Sequence, residues 1–285
     1  MQFQYFRYFL VPLKTGSLFK NSKTKKEIFR EVLKQKNKKY QASKSDLAYV
    51  FEKEDGDYIV AKLGKKQPLK KSLPPEDGFK ETVDVNWPHC LLFFNLDDDS
   101  VTGQKIAFQY KSNIFKEPII QLEDLAYELN ADLLASNYEL QIEPIIKEHV
   151  FWDLVKENQG RIESVTFSFN APNLFRLEND LNDDLKEAQK KFGLTKAKVE
   201  FENPQGNLTL PEDDKFLKEG VDYVRRGGGD FQLRIKGMKK TIKSKDGVLV
   251  KSVEYDDLEA RININFDNTD VLKSAIKDIF DKIDE

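Results

Sequence analysis

The apolar residues of this chain occur in short runs separated by turns, and this limits the folds open to it. The longest runs, such as residues 88–94, are far shorter than the roughly 20 residues that a membrane-spanning helix needs. Some runs are rich in aromatic and β-branched residues, which indicates strands, while others recur at helical spacing. The length of 285 residues suits one large or two ordinary domains. We therefore expect a soluble α+β fold with two domains, residues 1–150 and 151–285, each a mainly antiparallel sheet packed with a few helices.

The order of these patterns predicts individual elements. Residues 23–39 are expected to form a basic amphipathic helix, and residues 65–78, with three prolines, to form a loop. In the second half we predict strands over 161–169, 195–202, 231–237, 248–255 and 258–266, and helices over 180–192, 211–226 and 268–283.

Positive charge is concentrated in three stretches of an otherwise acidic chain. The net charge is −3, yet residues 20–44 hold ten basic and two acidic residues, and residues 62–71 hold five lysines and no acid. Residues 225–251 hold nine basic and two acidic residues. Only these stretches are expected to attract a polyanion.

The residues that usually carry catalysis or bind metals are scarce. His89, His149 and Cys90 are too few for a closed zinc site. Cys90 lies in an apolar run, which favours a buried and unreactive thiol. A single cysteine also forbids an intrachain disulfide, as is usual in a reducing compartment, so a cytoplasmic location is expected. We predict no catalytic residue, no metal and no cofactor.

Three further patterns admit a chemical and a structural interpretation. Asp97, Asp98 and Asp99 are able to bind Mg²⁺, but an acidic hairpin loop is the preferred reading. The glycines at 227–229 follow a predicted helix instead of preceding one, which favours a helix end over a phosphate cradle. Asp230 lies near Lys236 as in some metal-dependent nucleases, but Arg234 stands where the second carboxylate belongs.

The basic stretch at 225–251 is the strongest candidate for a binding surface. On a strand, Arg234 and Lys236 point to one face while Leu233 and Ile235 point to the core. Such a surface neutralises phosphates without reading bases, although an ordinary solvated face is the alternative. The candidate nucleic-acid-binding residues are Arg225, Arg226, Arg234, Lys236, Lys239, Lys240, Lys243 and Lys245, with Lys25 and Lys26 of the basic helix.

Part of the chain resembles a known family. The segments 104–108 (QKIAF), 141–145 (QIEPI) and 164–169 (SVTFSF), in this order, resemble the RexA phage-exclusion protein and its bacterial relatives. The resemblance covers about a third of the chain. It implies a non-enzymatic, homodimeric protein that binds double-stranded DNA without sequence preference. It also implies a sensor of phage infection, active in exclusion or abortive infection beside a membrane-protein effector.

Two alternatives remain at this stage. One is a metal-dependent nuclease of a defence system, which would require Mg²⁺ for cleavage. The other is an adaptor that binds proteins through its acidic surface. Salt-sensitive retention of DNA separates the preferred interpretation from the adaptor.

Overall fold

The computed structural model describes residues 1–13, 23–35, 38–42, 45–97, 104–147, 149–170, 180–253 and 269–283. Within these ranges the chain forms a large antiparallel sheet, a four-stranded sheet and a two-stranded ribbon, with helices packed on the first two. The predicted α+β class is therefore confirmed.

Fourteen strands lie in the described part of the chain. In chain order they are β1 (Gln2–Pro12), β2 (Lys38–Ala42), β3 (Ser45–Asp55), β4 (Tyr58–Lys65), β5 (Gln67–Ser72), β6 (Glu81–Asn86), β7 (His89–Asn95), β8 (Lys105–Gln109), β9 (Tyr138–Pro144), β10 (Ile162–Asn170), β11 (Lys196–Glu202), β12 (Gly229–Ile235), β13 (Ile242–Lys243) and β14 (Val250–Ser252).

Two helices begin at a residue whose side chain satisfies one of their first backbone amides. Thr24 accepts a hydrogen bond from the amide of Glu27 at 3.2 Å, and Asp214 accepts one from Leu217 at 2.9 Å.

Among the described residues, no helix combines the length and the apolar composition needed to cross a bilayer. The α-helices of the described residues are α1 (Lys25–Leu33), α2 (Pro118–Leu133), α3 (Val150–Glu157), α4 (Asp180–Phe192), α5 (Lys215–Arg225) and α6 (Thr269–Asp281).

The large sheet is centred on strands that are buried on both faces. Its strands lie in the order β14-β1-β8-β7-β4-β3-β2. Strand β9 pairs with residues 6–12 of β1, next to the residues of β1 that pair with β14. In β7, Leu92 and Phe94 face the core formed with α1 and α2, while Leu91 and Phe93 face the core formed with α6. A strand covered on both faces is apolar along its whole length, which explains the continuous run in the sequence.

The small sheet has the order β11-β10-β12-β13 and its own core. Phe151 of α3 is fully buried and lies 5.5 Å from the ring of Phe167 and 5.0 Å from that of Phe231. On α5, the hydroxyl of Tyr223 donates to the carbonyl of Asn170 at 2.6 Å. These contacts hold the β10–β12 pair in place, and β12 leads directly into the turn that carries the candidate surface described below.

Two element predictions were wrong. The predicted loop at 65–78 contains β5, which pairs with β6 from Gln67 opposite Asn86 and so extends the β4–β7 pair as a ribbon. Pro68 is compatible with this pairing because a two-stranded ribbon leaves one edge of each strand open. The predicted helix at 23–39 ends at Leu33, and Lys38–Ala42 forms β2 on the edge of the large sheet.

The end of the chain returns to the large sheet. β14 pairs with the first residues of β1, and α6 packs on Phe3 and Tyr5 of the same strand. The predicted division into residues 1–150 and 151–285 itself stays a prediction, and the predicted strand at 258–266 lies outside the described residues.

Candidate nucleic-acid interface

The hairpin of β12 and β13 separates an apolar face from a basic one. Leu233 and Ile235 are buried, whereas Arg234 and Lys236 are exposed, as the alternation in the sequence predicts. The chain turns through Gly237, whose φ of +82° lies in the left-handed region that favours glycine. Lys236, Lys239, Lys240 and Lys243 are exposed around this turn, and we call these four residues the lysine patch.

The ammonium groups of the lysine patch form no ion pair within the described residues, and the carboxylate of Asp246 accepts a hydrogen bond from the backbone amide of Lys243 at 3.3 Å. The ammonium of Lys236 donates to the carbonyl oxygen of Gln205 at 3.1 Å, which leaves its charge uncompensated. Within the ranges that the structure describes, none of the four lysines has an acidic side chain within ion-pair distance. The patch therefore presents four positive charges to solvent over a segment of eight residues.

Three predicted arginines are paired with acids. Arg225 and Arg226 both contact Asp222, one turn earlier on α5, at 2.7 and 3.0 Å. Arg234 contacts Glu163 of β10 at 3.1 Å, although 67% of its side chain remains exposed. A phosphate would have to compete with these carboxylates, so the arginines contribute less to a polyanion surface than the lysine patch.

Lys245 is directed towards the large sheet. It follows β13 in a short 3₁₀ helix, Ser244–Gly247, and forms an ion pair with Glu123 of α2. Burial lowers the pKa of Lys245, but the hydrogen bond to Glu123 and the charges of Glu123, Glu143 and Asp230 outweigh it and raise the pKa. The ammonium therefore links two parts of the fold.

The two candidate residues of α1 lie on a helix that packs on the large sheet, and not on the β12–β13 hairpin. Lys26 contacts Asp57 at 2.7 Å, and Asp57 belongs to the turn between β3 and β4. Lys25 donates to the carbonyl of Leu10 at 3.4 Å and lies over the ring of Tyr138. Much of the positive charge counted along residues 20–44 thus belongs to side chains that contact other elements of the fold.

Arg161 joins the lysine patch although sequence reasoning did not select it. It is exposed at the start of β10 and donates to the carbonyl of Lys236 at 3.3 Å. The amide of Lys236 in turn donates to the carbonyl of Arg161 at 2.7 Å. The two residues are 75 positions apart in sequence, so only strand pairing brings them together.

A polar cluster that includes the buried residues Glu143 and Asn170 lies where the two sheets meet. The amide of Asn170 donates to Glu143 at 3.2 Å, and Lys196 contacts Asp230 at 3.3 Å. Burial raises the pKa of Glu143, while the hydrogen bond from Asn170 acts in the opposite direction. No group of three or more His, Cys, Asp and Glu side chains able to hold a metal ion occurs in the described part of the chain.

The three glycines at 227–229 are explained by close packing after a helix. Gly227 follows the end of α5 with a φ of +77°. A Cβ atom on Gly229 would lie 1.9 Å from the carbonyl oxygen of Ser168. The glycines thus end a helix and allow β12 to approach β10, in agreement with the structural interpretation of this motif.

The remaining candidates for chemistry lie in β7, directly after it and at the start of α3. Cys90 is fully buried in β7, as its apolar surroundings predict. His149 is exposed at the start of α3, and His89 is half-buried at the start of β7. Of the three consecutive aspartates, only Asp97 lies within the described residues.

No protein-family model matches the chain, and no curated protein matches it either. The resemblance to the RexA family therefore stays a prediction.

Proposed function

We propose that this protein binds the phosphate backbone of double-stranded DNA through the lysine patch, without reading base sequence. The observation that supports this proposal is that these four lysines have no acidic partner within the described residues. By contrast, an ion pair with an acidic side chain is formed by each of the predicted residues Arg225, Arg226, Arg234 and Lys245. Ammonium groups contact phosphates as point charges and carry no sequence information.

The biological setting of the proposal comes from the family resemblance. We propose a cytoplasmic homodimer that detects phage nucleic acid in a bacterial exclusion or abortive-infection system, next to a membrane-protein effector. The binding step itself needs neither a cofactor nor catalysis.

The size of the effect follows from counterion release. If each of the four lysines neutralises one phosphate, the affinity for duplex DNA falls about 100-fold between 50 and 200 mM salt. This loss is independent of base sequence, because phosphate contacts act equally on all sequences.

The test compares two variants that change the net charge equally. In the first, Lys236, Lys239, Lys240 and Lys243 are replaced by Glu. In the control, the exposed residues Lys70, Lys80, Lys273 and Lys277 are replaced by Glu, on the β5–β6 ribbon and α6. Gel mobility of labelled duplexes of two unrelated sequences is then measured at 50 mM salt, with and without Mg²⁺.

We expect the patch variant to lose binding to both duplexes at least about 100-fold more than the control variant. Equal binding by the two variants would exclude the patch as the DNA surface. Cleavage of the duplex only when Mg²⁺ is present would favour the nuclease instead. A parent protein that retains no DNA at 50 mM salt would favour the adaptor.

A further inference from the structure

A cavity of about 400 Å³ lies between the end of α3 and the segment that follows β11. Its apolar wall includes the half-buried ring of Trp152, together with Ile162 and Leu208. Pockets for small ligands usually measure about 300–1,000 Å³, so this cavity suits one small planar group. An indole ring in such a wall offers a flat surface on which an aromatic ligand can stack.

The lining of the cavity also includes neutral hydrogen-bonding groups. Gln159 and Asn207 each provide an amide donor and acceptor, and Thr209 provides a hydroxyl. Lys156 and Glu212, which also line the cavity, form an ion pair at 3.2 Å and offset each other's charge. A neutral planar ligand with donors and acceptors along its edge matches this lining better than an ion does.

The cavity adjoins the lysine patch through two short connections. Gly160 and Ile162 line the cavity on either side of Arg161, whose guanidinium contacts the carbonyl of Lys236. The side chain of Lys236 lies against Gly206, where a Cβ atom would come within 3.0 Å of it. The next residue, Asn207, lines the cavity. A ligand in the cavity is therefore placed next to uncompensated positive charge.

We propose that this cavity receives one unpaired nucleobase of a DNA strand whose phosphates lie on Arg161 and the lysine patch. The proposal rests on the function proposed above and extends it from backbone binding to preference for DNA with a single-stranded end. Stacking on an aromatic side chain tolerates any base, so the preference carries no sequence readout.

Trp152 reports directly on occupancy. The chain has two tryptophans, so the variant Trp87→Phe leaves Trp152 as the only indole. Its fluorescence is measured during titration with three ligands: a blunt duplex, the same duplex with a single-stranded overhang, and the same duplex with an abasic overhang that carries as many phosphates as the normal one. We expect quenching by the normal overhang and no quenching by the blunt or abasic ligands.

Affinity supplies a second readout. The protein should bind the overhang at least about tenfold more tightly than the blunt duplex, and Trp152→Leu should abolish this preference while binding to the blunt duplex is unchanged. If the protein binds the normal overhang without quenching, or if the abasic overhang quenches equally, the cavity proposal fails and backbone binding stands. If none of the three ligands is bound at 50 mM salt, the proposed function fails first.

Discussion

Replacing Glu163 by Gln is expected to strengthen DNA binding, because it releases a cation beside the lysine patch. Glu163 contacts Arg234 at 3.1 Å, and 67% of the Arg234 side chain is already exposed. Gln retains an oxygen that can accept a hydrogen bond from the guanidinium but lacks the charge that competes with phosphate. The ion pair is exposed enough that its loss should cost at most about 1 kcal/mol of folding free energy.

The gain follows from one added phosphate contact. Each contact makes the slope of log affinity against log salt steeper by about 0.9. If the contribution of that contact vanishes at 1 M salt, the affinity at 0.1 M salt rises about eightfold. Fluorescence anisotropy of a labelled duplex measures both quantities. The control is Asp84→Asn, which releases Lys71 from an ion pair of 2.8 Å on the β5–β6 ribbon and changes the net charge equally. Equal affinities for the Glu163→Gln and Asp84→Asn variants would refute the reasoning.

Two further predictions concern stability. Gly229→Ala should lower the free energy of unfolding by at least about 3 kcal/mol, because its Cβ would lie 1.9 Å from the Ser168 carbonyl oxygen. Gly64→Ala, whose Cβ meets no atom closer than 3.7 Å, is the control, and similar urea midpoints for both variants would contradict this. Glu143→Gln should stabilise the protein more at pH 7 than at pH 4. Burial raises the folded-state pKa of Glu143, so the folded protein binds more protons than the unfolded chain and the parent loses stability as the pH rises. A difference between parent and variant that is the same at both pH values would contradict this.

The sequence predicted well those features that depend on neighbours along the chain. The alternation of Leu233, Arg234 and Ile235 is a local property of a strand, and burial follows it. The apolar run of β7 and the end of α5 at the three glycines are likewise local. The α+β class follows from the number and kind of such elements.

The features that sequence reasoning missed depend on pairing between distant residues. A count of charge along a stretch of sequence treats Arg234 and Lys239 alike. In the structure, Glu163, which is 71 positions from Arg234, offsets the charge of Arg234 and not that of Lys239. Arg161 was overlooked for the same reason, since it reaches Lys236 through the β10–β12 pair. Pro68 suggested a loop because its place in the ribbon is set by the pairing of β5 with β6 and not by its neighbours along the chain, whereas Pro74 and Pro75 lie outside the ribbon strands.

The central claim is that four uncompensated lysines provide the contact with DNA, and the salt dependence of binding tests it most directly. The affinity of the parent protein and of the variant with Glu at positions 236, 239, 240 and 243 is measured for one duplex from 50 to 200 mM salt. The account predicts that the slope of log affinity against log salt is steeper by about 3.6 for the parent than for the variant. Equal slopes for the two proteins would contradict it.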